Sequence, residues 1–237
     1  MYFKTRSLVA AGLLVLSAAT LRAQALATFG SAELAGFGEG SALLGTSWSQ
    51  THMGWGPVVN LVAQTYRYSN GSNTHAQAYA LSPAVGLVNK MDEGSIQGMI
   101  GYTFVNTEFN NVIAGNENGS TNGAFASVQG NYWGTGENSA QVIGSYGFRS
   151  EYYWTRFRAS HRLAPTEHPI YLGGELVLQG SQKITPTQFR YQVGPTIEYR
   201  VSPDFRVGAS GGYRGGSNSY PGSGYARIEF LLLSKLN

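Results

Sequence analysis

The stretch Phe189–Arg200, FRYQVGPTIEYR, decides the fold. Phe189, Tyr191, Val193, Ile197 and Tyr199 share one parity, and Arg190, Gln192, Thr196, Glu198 and Arg200 share the other. A period of two puts these sets on opposite faces of an extended strand. Its neighbours repeat the pattern. Ile170, Leu172, Leu176 and Leu178 oppose Tyr171, Glu175 and Gln179; Phe205, Val207, Ala209 and Tyr213 oppose Arg206, Ser210 and Arg214. Further on, Ala226, Ile228, Phe230 and Leu232 oppose Tyr225, Arg227 and Glu229.

Working outward gives twelve alternating segments: Phe29–Ala35, Ala42–Ser49, Val58–Tyr68, His75–Val88, Ile96–Val105, Ala124–Trp133, Ala140–Phe148, Tyr152–Arg162, Ile170–Gln179, Phe189–Arg200, Phe205–Tyr213 and Tyr225–Leu233. The first, second and fourth alternate least. A soluble sandwich would also alternate, but the composition favours a sheet facing lipid. Charged residues are 12%, against about 25% in soluble domains. Glycine numbers 32 and aromatics are 13%. The fold expected is all-β, a single antiparallel transmembrane β-barrel of about twelve strands. Loop lengths fit: Asn106–Thr121 and Arg214–Ser223 are long and fall on one side, expected to be the outer one. Val201–Asp204 and Asn89–Gly94 are short, of the periplasmic kind.

The N-terminus reads as a cleaved export signal, residues 1–25, with the barrel domain over 26–237. Lys4 and Arg6 precede the apolar run Leu8–Ala19, and Ala23-Gln24-Ala25 is a small-x-small cleavage site. The whole chain has 16 basic and 13 acidic residues; Lys4, Arg6 and Arg22 fall in the signal, which leaves the barrel balanced. That removes any electrostatic case for nucleic-acid binding. There is no cysteine, which excludes thiolate chemistry. The expected location is the outer membrane of a Gram-negative bacterium, with its lipid as the first partner.

The polar faces carry the candidate functional residues. Arg156, Arg158, Arg162, Arg190, Arg200, Arg206, Arg214 and Arg227, with Glu175, Glu198 and Glu229, are expected to face the lumen. Contacts between Arg and Glu are expected among the eighth to tenth strands. Facing charges would fill a narrow barrel; in a wider one they would line a polar passage. Trp48, Trp55, Tyr66, Tyr68, Tyr102, Tyr132, Trp133, Tyr146, Tyr153 and Tyr199 read as interfacial belts. No catalytic, cofactor or metal site is expected. His52, His75, His161 and His168 lack ligand spacing, and Ser160 and His161 are neighbours in a strand, hence on opposite faces.

The segments GMIGYTFV (Gly98–Val105), YWTRFRASHRL (Tyr153–Leu163), YLGGELVLQGSQ (Tyr171–Gln182) and FRYQVGP (Phe189–Pro195) resemble the cellulose biosynthesis protein BcsS family. In that family a Tyr-Trp-x-Arg strand precedes a Gly-x-Glu strand and then an Arg-containing one. Tyr153, Trp154, Arg156, Gly173, Glu175 and Arg190 stand at those places. The resemblance implies a non-enzymatic outer-membrane barrel accessory to cellulose or exopolysaccharide secretion, with the secretion machinery or the polysaccharide as partner. A narrow porin-like channel and, third, a lipid-modifying barrel enzyme are the alternatives.

Overall fold

The structure is a computed structural model that describes residues 25–69, 75–110, 119–134, 136–182, 188–217 and 222–235. The expected signal lies outside the described residues except for Ala25, which opens the first strand.

The alternating segments form twelve strands: β1 (Ala25–Ala35), β2 (Gly40–Ser49), β3 (Gly54–Ser69), β4 (His75–Met91), β5 (Gly94–Phe109), β6 (Gly119–Tyr132), β7 (Asn138–Gly147), β8 (Tyr152–Arg162), β9 (Ile170–Ser181), β10 (Gln188–Arg200), β11 (Phe205–Gly216) and β12 (Ser223–Lys235). Each pairs antiparallel with its chain neighbours, and β1 pairs with β12, from Ala25↔Lys235 to Ala35↔Tyr225. Closure removes the two sheet edges that would otherwise carry unpaired backbone groups.

The faces sort as the inverse of a soluble barrel. Outward rows include Ile100, Val128, Leu172, Leu176, Val193, Ile197 and Ile228, all exposed. Leu178, Val207 and Ala209 continue this face, half-buried. Buried polar residues such as Glu175, Gln192, Arg214 and Arg227 point inward. An apolar exterior around a polar interior is what a strand-built membrane span requires.

Two of the expected loops are shorter than the sequence reading had them. Strand β5 continues to Phe109 and β6 begins at Gly119, so strands take up both ends of the Asn106–Thr121 connection. Likewise Arg214, Gly215 and Gly216 belong to β11. Polar and glycine-rich residues pair readily where a barrel wall extends beyond the apolar band. At the end that carries both strand termini the connections are 50–53, 92–93, 133–137, 163–169 and 201–204; the rest lie at the distal end.

Two seams interrupt the ladders. Pro83 in β4 and Pro195 in β10 have no N–H, and the β4–β5 and β10–β11 registers skip two residue pairs at each. Glycines line both places. A Cβ on Gly101 would sit 2.5 Å from the Pro83 carbonyl oxygen, and one on Gly212 would sit 2.2 Å from that of Val193. The backbones approach too closely there for any side chain, which marks a bend in the wall. In the ring order the seams are six strands apart, on opposite sides.

Candidate functional site

The site is built by β8, by β9 and β12, two of the strands with clear alternation, and by β1, which alternates poorly. Register brings Arg158 opposite Glu175, and Arg227 opposite Glu33. These pairs then reach across the lumen to each other. Glu175 accepts from Arg158 Nη2 at 3.0 Å, from Arg227 Nη1 at 3.0 Å and from the Tyr225 hydroxyl at 3.1 Å. Glu229 accepts from Arg156 at 3.0 Å and from Arg158. Arg227 also donates to Glu33 at 2.6 Å and to Gln192 at 2.8 Å, and Gln192 donates to Glu33 at 2.7 Å. Since β8 and β12 are four strands apart, these contacts exist only through the interior.

The outcome is a knot of three arginines (Arg156, Arg158, Arg227) and three glutamates (Glu33, Glu175, Glu229) at mid-barrel. Its charges cancel. The Glu175 side chain is fully buried and that of Arg227 is 7% exposed. Charges withdrawn this far from water persist only when paired and hydrogen-bonded.

The other lumenal charges form two smaller groups. At the distal end Arg190 and Arg214 share Glu39, at 3.8 and 2.8 Å. Glu39 follows a 3-10 turn, Gly36–Gly38, in which Phe37 takes a left-handed φ of 62°. At the terminal end Glu198 lies 3.3 Å from Arg200 and 3.6 Å from Arg206, and the Arg200 guanidinium stacks 4.2 Å over the Tyr171 ring. Arg162 pairs in register with Tyr171 and has no ion pair among the described residues.

One expectation is met and widened, and one needs correction. Arg–Glu contacts form among β8–β10, at Arg158–Glu175 and Arg200–Glu198, and Glu229 and Arg227 on β12, with Glu33 on β1, complete the knot. The sequence reading missed Glu33 and Glu39 because the first strand alternates weakly. Its own inventory of eight lumenal arginines against three glutamates was the available signal, since a confined interior demands further acids. Second, Tyr66 and Tyr68 are not in a belt. Glu33 pairs with Ser41, Ser41 with Tyr66 and Tyr66 with Ala78, so both tyrosines share the lumenal face, their rings 6.0 Å apart. Trp55, Tyr102, Tyr132, Trp133, Tyr146 and Tyr199 are exposed.

The opposite wall, β2 to β7, is nearly free of charge. Its inward residues are small, hydroxyl- or amide-bearing, aromatic or aliphatic, Leu43, Val62, Met99 and Ile143 among the last, and Lys90, bonded to Ser49 at 2.8 Å, is the one inward charged side chain among the described residues of this wall. An amide chain runs along it. Gln97 donates to Gln129, Gln129 and Gln141 donate to Asn131, and Arg156 donates to Gln141, which joins the chain to the knot.

Comparison with known proteins agrees with this architecture. The β domain of the Bordetella autotransporter BrkA superposes with a TM-score of 0.51 at 12% identity, covering 87% of this chain and 97% of that one. The translocator domain of the autotransporter NalP from Neisseria meningitidis gives 0.49 at 11%, covering 97% of each. At 12% identity the likeness to the BrkA domain concerns the fold alone. No curated protein matches the sequence. A family model does, over residues 17–233, well beyond the segments that carry the resemblance in the sequence. With its closed barrel and this near-complete match, the chain belongs to the cellulose biosynthesis protein BcsS family.

Proposed function

We propose that this chain is a non-enzymatic barrel of the bacterial outer membrane that serves the secretion or surface anchoring of cellulose, with a lumen held shut by its ion-pair knot. The observation that carries the closed state is the set of contacts from Glu175 and Glu229 to arginines on other strands. Short connections at the terminal end fit a periplasmic side. The non-enzymatic reading is supported by side-chain placement: Ser160 meets Ser139 and His161 meets Asn138, on opposite faces of β8. In this reading the barrel acts through its rims and wall, in company with the cellulose machinery, and the polymer does not thread it.

A narrow pore is the second reading, favoured by the uncharged wall of β2 to β7. Two measurements separate them. Deleting the gene should reduce surface cellulose, read by Congo red binding, and the gene should lie beside a cellulose synthase. The purified protein in planar bilayers should show little steady conductance, and Glu175→Gln, which breaks the knot, should raise it. Large channels in the wild-type chain with unchanged cellulose would promote the pore.

A further inference from the structure

Above the knot, toward the distal end, the lumen is lined by aromatic rings and amides. On one wall Tyr66 and Tyr68 follow each other along β3, nearly parallel at 25°. They stand opposite Ala78 and Ala76, both fully buried, so the rings lie beside small residues. On the other wall Tyr152 and Trp154 follow each other along β8. The Tyr152 hydroxyl donates to Gln179 at 2.8 Å, and β8 stands five strands from β3 around the ring, close to opposite. Tyr152 faces inward by register, yet is 41% exposed. Tyr152 opens β8, so its accessible ring stands at the distal mouth of the lumen.

We infer that this distal vestibule is a binding site for a neutral β-linked glucan segment, received between Tyr66/Tyr68 and Tyr152/Trp154 and stopped at its base by the knot. The inference rests on the reading of the chain as a cellulose-secretion barrel and names the ligand of its lumen. A β-linked glucan is a flat ribbon. Its sugar faces present C–H bonds, which pack on aromatic faces, and its edges present equatorial hydroxyls, which pair with amides. Two successive rings on each wall suit two successive sugars. Gln64 and Gln179 lie on the inward faces of the strands that carry or flank these rings. Among the described residues the charges nearest the rings, Arg190 and Arg214, are both turned to Glu39.

The test uses the full chain in detergent micelles, with cellohexaose as the probe and maltohexaose as the comparator. Trp154 faces the lumen, whereas register turns Trp48 and Trp55 outward and Trp133 caps the turn at Asp92. Saturable cellohexaose-dependent change in tryptophan emission, weaker with maltohexaose, is the expected result. Tyr66→Ala and Tyr152→Ala should each weaken binding roughly tenfold, while heat-modifiable gel mobility stays that of a folded barrel. Tyr66→Leu keeps the bulk without the ring and covers the case in which an alanine variant fails to fold. Absence of saturable binding by the wild-type chain, or equal binding by folded variants, overturns the site. If the wild-type gene restores cellulose to a deletion strain but its protein binds no cellohexaose, the vestibule falls and the secretion reading stands. If it binds cellohexaose but deletion leaves cellulose unchanged, the secretion reading falls and the site remains.

Discussion

Glu175 receives three donors from two other strands, and its removal tests the knot most sharply. Glu175→Gln leaves Arg158 and Arg227 facing a neutral amide in a dry interior, a loss expected at about 3–5 kcal/mol. Glu198 serves as the contrast: its side chain is 18% exposed and its partner Arg206 is 38% exposed. Water screens that pair, so Glu198→Gln should cost about 0–1 kcal/mol. Urea unfolding of both variants in liposomes, followed by gel mobility, checks the difference; equal costs would mean that the mid-barrel layer is as wet as the mouth. At this scale the sequence was readable for side-chain direction and silent on partners. Parity gives Glu175 its face. It cannot say that Arg227, fifty-two residues on, crosses the lumen to meet it.

At the scale of strands, alternation located every element, but with ends drawn in by several residues. Strand β1 starts at Ala25, four residues before its first aromatic, because small residues such as Ala27 and Thr28 pair without adding to an apolar pattern. Belt assignment failed for β3, where Tyr66 and Tyr68 share a face with Asn60 and Gln64. Aromatic type suggested lipid; parity with those polar neighbours pointed inward and is the better guide. Two substitutions test the faces and the seams. Leu176→Arg, on the outward face of β9, should cost roughly 2–4 kcal/mol if it lies near mid-bilayer. Gln179→Ser, inward on the same strand, should be mild. At the β10–β11 seam, Gly212→Ala forces a Cβ against backbone and should cost about 1–3 kcal/mol. Gly130→Ala, with open space in front of its Cβ, should be close to neutral in the same unfolding assay.

Across the whole molecule, charge is divided unevenly around the ring. The lumenal arginines and glutamates sit on β8 to β12, on β1 and just after it, while β2 to β7 offer amides, hydroxyls, rings and aliphatic side chains. The even strand number and the antiparallel order were legible, since both long connections fall on one side. Closure between β1 and β12 was the part least visible, because it depends on the weakest strand. The salt bridge from Arg227 to Glu33 lies across that closure. Its loss in Glu33→Gln should therefore slow assembly into the heat-modifiable form more than it lowers final stability, measured by refolding into vesicles.

The opposed Pro83 and Pro195 seams have a consequence for how the barrel breathes. They divide it into two six-strand shells, β5–β10 and β11–β4, joined along lines that lack a hydrogen bond. Arg156 and Arg158 sit on the first shell and Glu229 on the second; Glu175 on the first meets Arg227 on the second. The knot is thus a staple between shells as well as a closure of the lumen. Amide hydrogen exchange gives this a readout: Glu229→Gln should speed exchange beside Gly101 and Gly212 and leave the interior of β6–β8 slow. Uniform acceleration over all strands would show instead that the barrel opens as a single unit.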